Sequence, residues 1–254
     1  MHLPAYRWHH RLCNGSGGLG DRRTYGAAGQ LAACQHHHVR RCLDDVGGRD
    51  GLRPDAGAEG KIMRVLVACE ESQTVCKAFR GLGHEAYSCD VIPCSGGHPE
   101  WHLQVDAAEI IKIKWDLLIA HPPCTYLTNA GAVRMRVKGQ IVAERYEKAM
   151  EAKKFFMAFY NADIPRIAIE NPTPMKIVGL PPYTQAIQPY EYGHPYSKRT
   201  CLWLKNLPLL TPTDVLPNHV SFTKKERDAK SRSKTFAGIA KAMAAQWGGA
   251  CNDA

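Results

Sequence analysis

The sequence predicts an α/β domain with a mostly parallel sheet and helices on both faces. Two observations predict it. From Met63 onward, apolar runs of strand length alternate with segments of helical spacing, and several of those runs stop at acidic residues or prolines, as strands do on entering loops. In order, Arg64 to Cys69 (RVLVAC) reads as a buried strand, and Gln73 to Leu82 as a short helix ended by Gly83. A second strand, Glu85 to Cys89, closes at Asp90, and Trp115 to Ala120 is the next. His121, Pro122 and Pro123 should end that strand, because proline cannot donate to a ladder and biases its predecessor toward extended backbone. Ile141 to Asn161 places apolar residues at helical spacing, with Glu147 and Glu151 set against Lys148, Lys153 and Lys154, which predicts a long amphipathic helix. Arg166 to Ile169 is a strand leading into Glu170, Asn171 and Pro172, Thr200 to Leu204 another, and Phe236 to Trp247 a closing helix.

The chain of 254 residues suffices for one large domain or two small ones. It has no apolar run of about 18 residues, so no membrane span is expected, and MHLPAYRWHHRLCNGSGG lacks the apolar core of a secretory signal. Ten cysteines are scattered through a chain rich in helix and strand patterns, which reads as reduced thiols in a cytoplasmic protein. The net charge of +9, from 33 basic and 24 acidic residues, suits a polyanionic partner without identifying one.

Residues 1–62 differ from the rest. They hold half of the 22 glycines, six of the 12 histidines and eight Arg against one Lys, with neither helical nor strand periodicity. Three readings stand: a disordered basic tail, a small metal module on His36, His37, His38 and Cys34 or Cys42, or a non-native stretch translated from a mis-set start. MRVLVACEES is the kind of first strand at which an α/β domain begins, which favours the last and assigns residues 63–254 to the folded domain.

Asp90 follows the first strand by about twenty residues, the spacing at which a carboxylate holds the ribose hydroxyls of a nucleotide-type cofactor. Asp106 is a second acid, suited to an adenine amino group or, more plainly, to capping a helix. PPC after one strand, ENP after the next and KRT opening another form an ordered set, so that Cys124, Glu170 and Arg199 are expected to converge at one sheet edge. A thiolate, a carboxylic acid and a guanidinium suit covalent attack on an electron-poor ring. CDVIPCSGGHPEWH also places Cys89, Cys94, His98 and His102 at a spacing adequate for zinc, although Cys89 should point inward from its strand and no metal is assigned.

With these residues in view, the chain resembles the DNA cytosine-C5 methyltransferase family, especially its small, divergent phage and prophage members. PPC at 122–124 looks like that family's nucleophile motif, ENP at 170–172 like its ENV motif, SKRTCLW at 197–203 like a reduced QxRxR strand, and SKTFAGIAKAMAAQWG at 233–248 like its closing motif. The likeness covers about residues 63–248. It implies a Rossmann-like fold, S-adenosylmethionine as cofactor, and DNA methylation of the kind used in restriction-modification. Cys124 would attack cytosine C6, Glu170 engage N3 and Arg199 orient the base, with the target base flipped from the duplex. Cys69, Glu70, Glu71, Asp90, Asp106, Pro122 and Thr235 would line the cofactor pocket. Arg134, Arg136, Lys224, Lys225 and Arg232 would meet DNA phosphates.

Two departures stand out. ACEESQ (Ala68 to Gln73) replaces the family's glycine-rich loop, and only about thirty residues separate the KRT strand from the closing helix, so the target-recognition domain is missing or minimal. These departures keep two other functions open: a catalytically silent nucleic-acid-binding relative, and a methyltransferase acting on a free pyrimidine nucleotide.

Overall fold

The computed structural model describes residues 62–222 and 233–249. The extension up to residue 61, with its Cys34 and His36 to His38 cluster, lies outside the described residues, as does the basic run with Lys224, Lys225 and Arg232.

The first strand, β1 (Arg64–Ala68), pairs in parallel with β2 (Glu85–Cys89) on one side and with β4 (Leu117–Ala120) on the other. Beyond β2 lies the two-residue β3 (His102–Leu103), and beyond β4 lies β7 (Arg166–Pro172), both again parallel. The chain therefore runs outward from β1 through β2 to β3 and returns to β1's other side at β4. That reversal is a topological switch point, and open α/β sheets bind ligands beside the C-terminal strand ends at such a point. The seven-stranded order is β3-β2-β1-β4-β7-β10-β8, with β8 at Gln185–Ile187 and β10 at Thr200–Lys205, while β9 (Tyr196–Ser197) pairs outside this sheet with Val220–Ser221.

Strand positions match the sequence closely, and β4 stops at Ala120 as His121-Pro122-Pro123 requires. One strand does not follow the expected direction. β10 runs antiparallel to both β7 and β8. In a wholly parallel sheet the residues opening β10 would lie at the edge opposite Glu170; the reversal sets Thr200 against Pro172 and brings KRT to the edge where ENP ends. The same pairing carries β7 through Pro172, three residues beyond Ile169.

Alternate strand residues enter two cores, as the period of two demands. Leu66, Ala68, Leu118, Ala120, Ile167, Ile169 and Trp203 pack with Phe156 and Phe159 of the long helix α3 (Ala143–Tyr160). Val65, Val67, Leu117, Ile119, Ala168 and Leu202 pack instead with Val75 and Phe79 of α1 (Thr74–Arg80) and Met243 and Trp247 of α4 (Ala237–Trp247). A single turn, α2 (Ala107–Ile110), follows β3. The LLIA run of β4 is buried throughout, the signature of a strand covered on both faces. Among the described residues no helix is long and apolar enough to cross a membrane.

Candidate active site

The register places the first pair of site residues. Ala120 is the partner of Ile169 and both side chains enter the α3 core, so their successors, His121 and Glu170, fall side by side on the opposite face. His121 Nδ1 lies 3.2 Å from Glu170 Oε2, with the two side chains 9% and 16% exposed. An ionised carboxylate only accepts, so Nδ1 carries the hydrogen and donates. Burial pushes the Glu170 carboxyl up, but the bond and charge of His121, helped by Lys198, outweigh it and hold the group below the usual carboxylate range.

A second bond joins the same two segments. Asn171, 1% exposed, donates from Nδ2 to the Pro122 carbonyl at 2.8 Å. The PPC loop is thus tied to the ENP strand at two successive residues, and Pro122 acts through its backbone. Beyond it the Cys124 carbonyl accepts from the Leu127 and Thr128 amides and the Thr128 hydroxyl, closing a tight turn around the thiol's own residue. Among the described residues Cys69, Cys76, Cys89, Cys94, Cys124 and Cys201 are unbridged, and only Cys124 is exposed. Burial pushes the others in the core away from reactivity: the Cys76 thiol rises to about 12, and Cys69, Cys89 and Cys201 rise as well.

Arg199 reaches this edge but not this face. Its Nη2 donates to the Tyr183 hydroxyl at 2.9 Å, and Tyr183 packs against the α3 core. Lys198, one residue earlier, projects to Glu170's side, with Nζ 5.8 Å from the ring centroid of Phe236, which packs with the α1 and α4 core. Of these two neighbours it is therefore Lys198 whose charge helps His121 lower the Glu170 carboxyl, a residue the KRT motif gave no reason to prefer.

The loop after β1 shows how ACEESQ replaces glycines. Cys69 (φ 60°) and Gln73 (φ 58°) adopt left-handed backbone although both carry side chains. Gln73 is fully buried and clamps residue 98, donating from Nε2 to the His98 carbonyl at 2.7 Å and accepting the His98 amide at 3.0 Å. Glu70 turns inward, and its carboxylate accepts the Val75 and Cys76 amides at 2.7 and 3.2 Å, serving the first turn of α1 in place of a cap at Gln73. Burial raises its pKa, opposed first by the charge of His121, so His121 stands between two buried acids. Glu70 is thereby engaged with the first turn of α1.

Asp90 ends β2 at the same edge; burial raises its pKa, and Oδ1 accepts the Ile92 amide at 3.2 Å. Glu71, half-buried, accepts the Ser95 amide through its carbonyl at 2.8 Å. Asp106 takes its plainer role, capping α2 through the Ala108 amide at 2.9 Å. Thr235 precedes α4, whose far end meets His84 at the N-terminal edge of the sheet, so the helix starts at the site edge. Arg134 and Arg136 are exposed on the segment after the Cys124 loop, where β5 (Arg136–Val137) and β6 (Gln140–Ile141) form a small hairpin beside exposed Val133 and Val137.

Three of the four residues of the zinc-like spacing have other partners. Cys89 donates to the Val105 carbonyl, both ring nitrogens of His102 are bonded to Ser88 and Ile92, and His98 stacks on Trp101. Among the described residues no group of three or more His, Cys, Asp or Glu could hold a metal ion.

No protein-family model matches this chain, and no curated protein matches it. Among solved structures it is similar to a candidate DNA modification methyltransferase encoded within a prophage of E. coli, with a TM-score of 0.36 and 14% identity, over 62% of this chain and 53% of that one. This chain thus spans about half the length of that protein. A likeness so slight leaves fold and chemistry to rest on the geometry above.

Proposed function

We propose that this protein is an S-adenosylmethionine-dependent methyltransferase that acts on cytosine C5 in DNA through a covalent adduct with Cys124. The observation that carries the reading is the double tie between the PPC loop and the ENP strand, beside an exposed thiol and a carboxylate at one edge of a mostly parallel sheet. Asp90, at the end of the strand neighbouring β1, fits the ribose hydroxyls of the cofactor. When bound, S-adenosylmethionine supplies the methyl group. The Cys124 thiolate bonds to C6 of the ring through Sγ, the electron pair displaced toward N3 takes a proton that Glu170 carries once the base is bound, and Lys198 stabilises the carboxylate left behind. After methylation a base removes the C5 proton and the S–C6 bond breaks, returning the thiolate. Arg199, held by Tyr183, steadies the substrate from the other side of the edge.

The engagement of Glu70 with α1 favours a second reading, a silent nucleic-acid-binding relative, because it takes from the pocket an acid that could have served the cofactor. Calorimetric titration with S-adenosylmethionine, followed by a methyl-transfer assay on cytosine-containing DNA and on free nucleotide, separates the readings. Binding weakened by Asp90→Ala, with transfer to DNA abolished by Cys124→Ser while the cofactor still binds, is the expected result. Turnover by Cys124→Ser removes the covalent step, and a folded protein that binds no cofactor with or without DNA supports the silent relative.

A further inference from the structure

We infer that His121 is a positioning residue for Glu170, holding one carboxylate oxygen so that the other is presented to the target ring. Its chemical role rests on the methylation reading above; the pairing itself does not. Three observations carry it. His121 follows the last residue of β4, so its backbone is held by the sheet and by the two prolines after it. Its Nδ1–H donates to Glu170 Oε2 at 3.2 Å, which leaves Oε1 as the oxygen available to a bound base. Its Nε2 is buried and has no hydrogen-bond partner among the described residues, so the imidazole is committed to Glu170 by one bond.

Charged and titratable groups approach this pair from each neighbouring segment. Glu70 comes from the loop after β1, Lys198 from the segment opening β10, and Cys201 from β10 itself. Glu70 is held by the α1 amides and Cys201 by Thr173, so His121 is the group bonded to Glu170. A carboxylate free to rotate about its last torsion would offer either oxygen at a range of angles. A ring nitrogen needs one oxygen in its plane, so fixing Oε2 organises the contact before the base arrives.

The test uses the full chain carrying ¹³C-labelled glutamate, with the Glu170 carboxyl signal assigned by its loss in Glu170→Gln. In His121→Ala the Glu170 titration midpoint is expected to rise. In His121→Asn, whose side-chain amide can replace Nδ1–H, it is expected to return toward wild type, and in His121→Gln to remain near the alanine variant. Transfer to DNA is expected to follow the same order, with kcat about ten- to a hundredfold lower in His121→Ala and affinity for S-adenosylmethionine unchanged. A midpoint that does not move in a folded His121→Ala or His121→Gln protein overturns the inference whatever the activity. A midpoint that moves and is restored by asparagine, in a chain whose wild type transfers no methyl group, sustains the pairing and overturns the methylation reading instead.

Discussion

Glu170 illustrates how one side chain inherits its properties from three segments. The ENP motif marked it, but its ionisation is set by His121 from the loop after β4 and by Lys198 from the segment before β10. Because its folded pKa lies below the unfolded one, its contribution to stability is complete above the unfolded carboxyl range, about pH 4.3, and is lost as pH falls through the lower folded value. Glu170→Gln is therefore expected to lower Tm by about 2–4 °C at pH 7, the shift for roughly 1 kcal/mol in a domain of this size. The difference should shrink progressively as pH falls below that range. Thermal unfolding of both proteins across that range checks it, and a gap that widens in acid contradicts the assignment. Cys124 and Glu170 were legible as residue types after predicted strands. The partner cation was not, since Lys198 and Arg199 are adjacent and only the face each side chain takes separates them.

The closing helix α4 shows a different dependence, on a backbone approach. At Gly238 an added Cβ would lie 1.9 Å from the Tyr192 carbonyl oxygen, while the Gly238 amide donates to His194 Nε2 at 2.9 Å. Gly238→Ala must push the start of α4 away from the turn beneath it, at a cost of about 1–3 kcal/mol, and differential scanning calorimetry should show a lower Tm. An unchanged Tm would mean the turn yields freely. Nothing in FAGIAKAMAAQW announces this contact, because it lies between segments more than forty residues apart. The helix itself was plain from its apolar spacing. β10 presents the same contrast, since TCLWL reads as a strand in either direction and an apolar pattern carries no sign of polarity.

For the molecule as a whole, the proposed action on DNA together with a charge of +9 predicts DNA affinity that falls steeply with salt. Arg134 and Arg136 are both exposed on the segment that follows the Cys124 loop, and each phosphate contact contributes about 0.9 to the slope of log K against log salt. The double variant Arg134→Ala, Arg136→Ala should reduce that slope by about 2 in magnitude, measured by fluorescence anisotropy from low to physiological salt. An unaltered slope removes both from the DNA interface. This contact class is sequence-blind, which suits a chain with so short a connection between β10 and α4.

Apolar periodicity alone was enough to place the main strands and helices, because burial of one or both faces forces a repeat of 2 or 3.6 that survives without any knowledge of partners. The motifs PPC and ENP could be read for the same local reason, as reactive or acidic residues where a strand must end. Tertiary structure decided the rest. It reversed β10, chose Lys198 over Arg199 for Glu170, turned Glu70 inward to α1, and placed His121 against Glu170. Each of these depends on which strand neighbours which and in what direction, and pairing between distant segments is settled by register and by the balance of buried charge, neither of which any single stretch of sequence contains.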